Sequence, residues 1–457
     1  MPGETDRLRR LRGLFRPRPL HPAQVISLAF ATAGIVGTVL LMLPISRSGP
    51  GGTGFTDALF HATSAICVTG LSAVDTAEHW TGFGQAVLLV LVQVGGLGIM
   101  TFASILGLVV ARRLGLRTRL QTTQESGIVD QGDLRRLLWG VARISLKVEI
   151  LVAIALTLRW WLGYDERFVD ALWLGVFHAV AAFNNAGFAL WSDNLMGFVS
   201  DPFICLPIAV AVILGGLGFP VLMELRRQFR WSIWWTINTK IVISVSIALL
   251  VSSTIAITAL EWSNPATLGQ LDPAGRLLAG FFQAVNTRTA GFNSVDTAEL
   301  NPATWFLMDA LMFIGGGPAG TGGGIKVTTF AVLLLIVYAE IRGEGAVNVF
   351  GKRLPRSAQR QAITVAALAF TVISVATGLL MVIEGLDLDR SLFEAISAFT
   401  TTGLSAGVTG TLSDASKYVL VFLMFAGRLG PITLASAIAL RSSNRLYEYP
   451  KERPIIG

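Results

Sequence analysis

The 457-residue sequence contains little charge and almost no cysteine. Only 14% of its residues are Asp, Glu, Lys or Arg, and its mean hydropathy is +0.62. A soluble protein of this length exposes far more charge, so the composition excludes an ordinary soluble domain and indicates an integral membrane protein. Two cysteines, Cys67 and Cys205, stand in apolar surroundings without metal-ligand spacing, which excludes a disulfide framework.

Apolar stretches of about 20 residues, the length at which a helix crosses the hydrocarbon core, recur along the chain. They predict about eight spans, near residues 24–43, 86–110, 137–162, 203–223, 237–260, 330–338, 363–383 and 418–440. The first span is long for a signal peptide and lacks a small-residue cleavage pattern, so we expect it to be retained.

Basic residues are concentrated in alternate connections, although the net charge is only +7. Most of the Lys and Arg residues lie at 7–18, 112–147, 226–240, 342–360 and 441–453. The positive-inside rule predicts that these connections and both termini are cytoplasmic. Topology and anionic lipid explain the clusters better than nucleic acid, which we do not expect as a partner.

The four connections poor in basic residues resemble one another. Each has a Phe ten residues before a Gly, and a large apolar residue follows that Gly. The glycines, Gly70, Gly187, Gly291 and Gly403, recur roughly every 110 residues, which indicates an internal repeat. Each unit is predicted as a helix, a short apolar re-entrant helix, a glycine-containing loop and a second helix.

These short segments suggest a pore. Non-helical backbone at membrane depth survives only when it is buried in protein or lines a water-filled path. Four such loops around one axis can form a ring of carbonyl groups that replaces the water shell of a cation, and glycine adopts the backbone angles that this requires. For one loop, close helix packing explains the glycine equally well; four copies in register favour the pore.

A glycine-rich run, residues 315–324, lies between the apolar segments 305–314 and 325–338. It holds seven glycines, each costing about 1 kcal/mol relative to Ala inside a helix. We therefore expect the inner helix of the third repeat to break at mid-membrane, in this repeat only, and few side chains to hold the run. Lys326 and Arg428 are the most deeply placed charges and are expected to face a cavity or a partner, unless Lys326 snorkels.

The sequence argues against two other functions, a dinucleotide site and a membrane enzyme. The run fits G-x-G-x-x-G, but it interrupts a membrane span, which argues against a dinucleotide site. A membrane enzyme needs paired carboxylates or a nucleophile with a base. The main interior acids, Asp309 and Glu149, lie in different repeats, and His61 and His178 are expected on helix surfaces at the outer interface. We therefore expect a transporter and no enzyme; sodium or mixed selectivity is the alternative to potassium.

Three motifs carry a resemblance to a known family. They are NTRTAGFN at 286–293, GGGIKVTTF at 322–330 and GRLGP at 427–431. With them the chain resembles, over nearly its whole length, the Trk/Ktr/HKT superfamily of cation transporters. The first span begins near residue 24, without the two extra N-terminal spans usual in Trk subunits, which favours the Ktr-type membrane subunits.

The resemblance implies an all-α integral membrane fold with four pseudo-symmetric helix–pore loop–helix repeats around one central pore. Implied filter residues, whose backbone carbonyls hold potassium as the substrate, are Cys67, Val68, Thr69, Gly70, Asn184, Asn185, Ala186, Gly187, Arg288, Thr289, Ala290, Gly291, Thr400, Thr401, Thr402 and Gly403. Implied gate residues are Gly315, Gly316, Gly317, Pro318, Ala319, Gly320, Thr321, Gly322, Gly323, Gly324, Lys326 and Arg428. A Gly in all four loops resembles the potassium-selective members. Pro318-Ala319 departs from the Ser-containing residues more usual in relatives and puts the flexibility of the loop in question, because Pro fixes its own φ.

The same resemblance implies the organisation of the protein. It implies a homodimer with one pore per chain in the cytoplasmic membrane, a cytosolic ring of nucleotide-binding regulatory subunits, and no covalent cofactor. The expected segments are a cytoplasmic tail at 1–21, repeats at 22–112, 113–225, 226–341 and 342–440, and a second cytoplasmic tail at 441–457.

Overall fold

The computed structural model describes residues 22–119, 131–228 and 234–430, and these are mostly helical. Both expected tails and the last ten residues of the eighth predicted span lie outside them. The first two repeats contain α1 (Pro22–Met42), α2 (Phe55–Ile66), α3 (Thr76–His79), α4 (Gly82–Arg119), α5 (Gln131–Gly163), α6 (Phe168–Phe183), α7 (Pro202–Leu217) and α8 (Phe219–Gln228). The last two contain α9 (Ile237–Glu261), α10 (Pro273–Asn286), α11 (Pro302–Phe313), α12 (Val327–Ile341), the hairpin β1 (Asn348–Val349) and β2 (Lys352–Arg353), α13 (Arg356–Glu384), α14 (Leu388–Thr400) and α15 (Asp414–Leu429).

The short helices α2, α6, α10 and α14 form the centre of the protein. One phenylalanine in each of them, Phe60, Phe177, Phe282 or Phe393, is at most 1% exposed. The long helices instead present apolar side chains outward, such as Ile255 at 65%. In a bilayer, exposed apolar surface on the outer helices faces lipid at no hydrophobic cost, while the re-entrant helices require cover by protein.

Four of the described helices are long and apolar enough to cross a membrane: α1, α4, α9 and α13. The predicted span at 203–223 is not one helix, because α7 and α8 are bent by 100° at Gly218. Gly218 has φ +92°, a left-handed conformation that glycine adopts without a steric penalty. The expectation that only the third repeat has a broken inner helix is therefore wrong.

The inner helix of the third repeat is also broken, as predicted. Helix α11 ends at Phe313 and α12 begins at Val327. The chain closes the gap by pairing Ile314 with Ile325 as a parallel bridge. The amide of Gly315 donates to the carbonyl of Ile325 at 2.8 Å, and that of Val327 donates to Gly316 at 3.0 Å. The glycine run is therefore a loop between α11 and α12 whose two ends are hydrogen-bonded to each other.

Candidate ion-conducting site

The four glycine-containing loops share one backbone conformation. The repeat glycines have φ of +92°, +67°, +78° and +91° for Gly70, Gly187, Gly291 and Gly403. The residue two positions earlier is also left-handed in every loop: Val68, Asn185, Thr289 and Thr401 have φ between +52° and +65°. Such conformations cost about 1–3 kcal/mol each for non-glycine residues and persist where the surrounding structure imposes them, commonly at functional sites.

The same glycines form a closed ring. A Cβ added to Gly70 would stand 3.0 Å from the Cα of Gly187, and one added to Gly187 would stand 2.8 Å from that of Gly291. One added to Gly291 would stand 3.2 Å from the Cα of Gly403, and one added to Gly403 would stand 3.1 Å from that of Gly70. The four loops therefore contact one another in repeat order around one axis, and no side chain fits between them.

Each loop is held by the re-entrant helix that precedes it. In the first and fourth repeats the serine side chains of Ser64 and Ser397 accept from the amides of Gly70 and Gly403, both at 3.1 Å. Backbone bonds support the preceding residue in all four loops: Thr69 to Ser64 at 2.7 Å, Ala186 to Ala181 at 2.8 Å, Ala290 to Asn286 at 3.1 Å and Thr402 to Ser397 at 2.9 Å. Amides that bond back to the helix leave the loop carbonyls available to a cation.

A cavity of about 440 Å³, the vestibule, opens on one side of the ring. All four repeat glycines line it. Asp75, Asp193 and Asp296 also line it. Two of these carboxylates cap short helices, since Asp75 accepts from Ala77 at 2.7 Å and Asp296 from Ala298 at 2.9 Å. An acidic vestibule raises the local concentration of cations.

All sixteen expected filter residues lie at the end of a re-entrant helix or in the turn after it. Two of their side chains point away from the ring. Arg288 donates to the carbonyl and hydroxyl of Ser246 on α9, at 3.3 and 3.2 Å, beside an apolar cavity of about 290 Å³. Asn184 donates to Gln93 on α4 at 2.7 Å, and Gln93 in turn donates to the carboxylate of Glu149 on α5 at 3.1 Å.

The glycine-rich loop at 315–324 docks into the broken inner helix of the second repeat. The amide of Gly317 donates to Gly216 at 2.7 Å, that of Thr321 to Gly215 at 3.2 Å, and that of Phe219 to Ala319 at 3.2 Å. The end of a helix leaves carbonyls without intrahelical partners, and the loop provides donors for them. Gly218 is required here, because a Cβ would collide with the carbonyl of Pro318.

The loop also lies against the glycine-containing loops of the ring. The hydroxyl of Thr321 donates to Asn185 at 3.1 Å, and the amide of Gly323 donates to the hydroxyl of Thr401 at 3.0 Å. A Cβ added to Gly322 would collide with Thr289. The loop therefore contacts the glycine-containing loops of the second, third and fourth repeats. The expectation that few side chains hold it is wrong.

The two deep cations, Arg428 and Lys326, both bind the loop. Arg428 is 3% exposed and donates to the carbonyl of Thr321 in the loop and to that of Gly95 on α4, the latter at 2.9 Å. No described carboxylate forms an ion pair with it. Lys326 precedes α12, and its amine donates to the carbonyl of Gly322. Arg428 thus connects the loop to the first repeat.

The structure corrects the expected positions of two histidines and shows two buried glutamates that the sequence analysis did not identify. His61 and His178 are completely buried, not at helix surfaces. Glu261 and Glu394 are also completely buried, although Asp309 and Glu149 were expected to be the main interior acids. A signal existed for Glu394, since it follows the repeat phenylalanine as the two histidines do.

Fold and site together define a pore-loop membrane protein. Residues 23–448 match the TrkH family of cation transport proteins. The chain is 39% identical to the Ktr system potassium uptake protein B of Vibrio alginolyticus over 95% of this chain and 94% of that one. It is 37% identical to the protein of the same name from Bacillus subtilis (95% and 97%), and 32% identical to the potassium/sodium uptake protein NtpJ of Enterococcus hirae (96% and 98%).

The fold matches a solved structure as well. The crystal structure of the potassium transporter TrkH from Vibrio parahaemolyticus superposes with a TM-score of 0.75, covering 93% of this chain and 86% of that one at 19% identity. The chain belongs to the TrkH family of cation transport proteins, which are transporters and not enzymes. This confirms the resemblance drawn from the sequence.

Proposed function

We propose that this chain takes up potassium ions across the cytoplasmic membrane through a selective central pore. The observation that carries the proposal is the closed ring of four loops, each left-handed at the glycine and two residues before it. A ring of backbone carbonyls suits a monovalent cation, which it can bind and release quickly. The relatives named potassium uptake proteins cover almost the whole chain and support this choice of ion.

The filter in this proposal consists of the backbone carbonyls in the four segments 67–70, 184–187, 288–291 and 400–403. Its contribution is geometric, because the carbonyls replace the water shell of the ion. Arg288 contributes its carbonyl only, since its guanidinium is bonded to Ser246. The acidic vestibule then lies on the extracellular side, and the glycine-rich loop on the cytoplasmic side.

The gate in this proposal is the glycine-rich loop. The loop contacts three filter loops, and Arg428 links it to the first repeat, so it lies across the path below the ring. Opening requires the loop to leave its bonds to Gly215 and Gly216 and to Arg428. Helix α12 begins directly after Lys326 and provides a rigid connection from the loop to the cytoplasmic side.

The assembly is part of the proposal. A cytosolic ring of nucleotide-binding subunits would open the gate through α12, and two chains would form a homodimer with one pore each. The basic connections favour cytoplasmic termini. The support is the family resemblance and the name of the relatives, which makes them components of a Ktr system.

The second candidate is a sodium-conducting or sodium/potassium transporter of the same fold. The relative from Enterococcus hirae, named as a potassium/sodium uptake protein, favours it. A glycine in all four filter loops favours potassium, since any side chain at one of them would distort a quarter of the ring.

The test is ion flux. Cells that lack their own potassium uptake systems, expressing the chain with a cytosolic partner, are expected to grow at low potassium. Purified chain and partner in liposomes are expected to conduct potassium and rubidium faster than sodium. Gly291→Leu is the control, because its side chain would fill the ring and stop the flux of a folded protein. Sodium flux equal to that of potassium would establish the alternative, and absence of both fluxes with an active partner contradicts the proposal.

A further inference from the structure

The fourth re-entrant helix carries a completely buried carboxylate, Glu394, directly after Phe393. One oxygen accepts from the hydroxyl of Ser405 at 2.5 Å and from the amide of Ala406 at 3.0 Å. The other accepts from the hydroxyl of Thr409 at 2.8 Å. All three donors belong to the segment that leads away from the filter glycine, and two of them line the vestibule.

The loop of the fourth repeat is therefore held on both sides of Gly403 by one helix. Ser397 binds the glycine amide from one side, and Glu394 binds the chain two to six residues later. Neither anchor depends on a contact from another repeat. The carbonyls between them can move only as far as these bonds allow.

The second repeat has a weaker version of the same anchor. His178 follows Phe177 as Glu394 follows Phe393, and its ring accepts from the amide of Leu190 at 3.3 Å. In both repeats a backbone amide twelve residues after the helix residue is the donor. The single bond to His178 is longer than each of the three bonds to Glu394.

Glu394 is also the only carboxylate at its position in the repeat. The residues that follow the corresponding phenylalanines are His61, His178 and, after Phe281, Phe282. The fourth loop is thus the one fixed by a carboxyl group behind the vestibule wall.

We propose that Glu394 is a positioning residue that holds the fourth filter loop in the shape that discriminates potassium from sodium. The inference rests on the proposed function. A filter that fits the larger ion must resist contraction around the smaller one, so an anchor on the outer side of Gly403 contributes to selectivity and not only to folding. Loss of the carboxylate leaves buried donors unsatisfied, and the loop relaxes to pair them elsewhere.

The test compares Glu394→Gln, which keeps the shape of the side chain, with Glu384→Gln. Glu384 is a matched control: it lies in the same repeat and accepts from the amide and hydroxyl of Ser413 at 2.9 and 2.5 Å, away from the filter. The readout is the potassium-to-sodium permeability ratio in liposomes with the partner present. We expect Glu394→Gln to lower this ratio about tenfold, and Glu384→Gln to leave it within about twofold of the parent.

A second variant removes one of the groups that donate to Glu394. Thr409→Val removes one donor without changing the size of the side chain, and it keeps the test valid if the Glu394 variant does not fold. Thr409→Val is expected to lower the permeability ratio by a smaller factor than Glu394→Gln does. In the double variant the two effects are expected to be less than additive, because both changes break the same bond. Glu394→Asp is expected to recover part of the ratio.

The outcomes separate the inference from the proposed function. A parent protein that conducts no potassium overturns both. A conducting parent whose folded Glu394→Gln and Thr409→Val variants keep its permeability ratio overturns the inference alone. The same holds if Glu384→Gln lowers the ratio as much as Glu394→Gln does.

Discussion

Replacement of Gly70 by serine places a side chain at the contact between the first and second filter loops. Gly70 has φ +92°, and its added Cβ would stand 3.0 Å from the Cα of Gly187 and collide with the carbonyl of Ala186. Both neighbours are backbone atoms, so no side-chain rotation can relieve the overlap. The second loop must shift, and the carbonyl of Ala186 moves with it.

The size of the effect follows from two contributions. A non-glycine residue in this backbone region costs about 1–3 kcal/mol, which destabilises the fold whatever surrounds it. The overlap acts on the ring itself. If displacement of one carbonyl removes about 1.4 kcal/mol of the preference for potassium, the potassium-to-sodium ratio falls tenfold. We expect Gly70→Ser to lower the ratio by about this factor, with potassium flux reduced but present.

The matched control is Gly385→Ser, at the end of α13. Gly385 also has a positive φ, +69°, but no atom lies within 4 Å of an added Cβ. This variant carries the same kind of backbone strain without the overlap, so it is expected to lose stability and keep the parent's ratio. The assay is the permeability ratio of each purified variant in liposomes with its partner, with thermal unfolding measured in parallel.

The reasoning is refuted if folded Gly70→Ser protein keeps the parent's permeability ratio, because a serine in the ring would then not disturb ion discrimination. It is also refuted if Gly385→Ser loses selectivity equally, since strain alone would then explain the effect.

Three further predictions concern the contacts around the ring. Arg428→Ala is expected to raise the potassium flux measured without the partner by roughly tenfold or more, because bonds from a charged donor to Thr321 and Gly95 contribute about 1.5–3 kcal/mol. If this flux is unchanged in assembled protein, Arg428 does not hold the loop in its closed position. Thr321→Val is expected to change flux in the same direction by about 3- to 10-fold, since it removes a single neutral bond to Asn185; a larger effect than that of Arg428→Ala would reverse the ranking of the two contacts. Gln93→Leu leaves Glu149 and Asn184 without their shared partner. It is expected to lower the free energy of unfolding in detergent by about 1–3 kcal/mol. An unchanged unfolding midpoint would mean that this network does not stabilise the fold.

The sequence alone determined the membrane architecture and the position of the four glycine-containing loops. Low charge and long apolar stretches restrict the chain to a bilayer, and the spacing from Phe60 to Gly70, repeated three times, marks the re-entrant helices. The break in the third repeat was predictable for a local reason, because a run of glycines cannot remain helical in any surroundings.

Only the tertiary structure decided how the parts meet. A short motif such as that around Gly218 permits both a straight helix and a 100° bend, and docking of the glycine-rich loop selects the bend. The partners of Arg428 and Glu394 are likewise settled by packing. Arg428 joins residues 107 and 333 positions away, while Glu394 turns inward to its own loop instead of outward to water. The donors and acceptors that a buried polar group finds depend on which repeats come together around the axis.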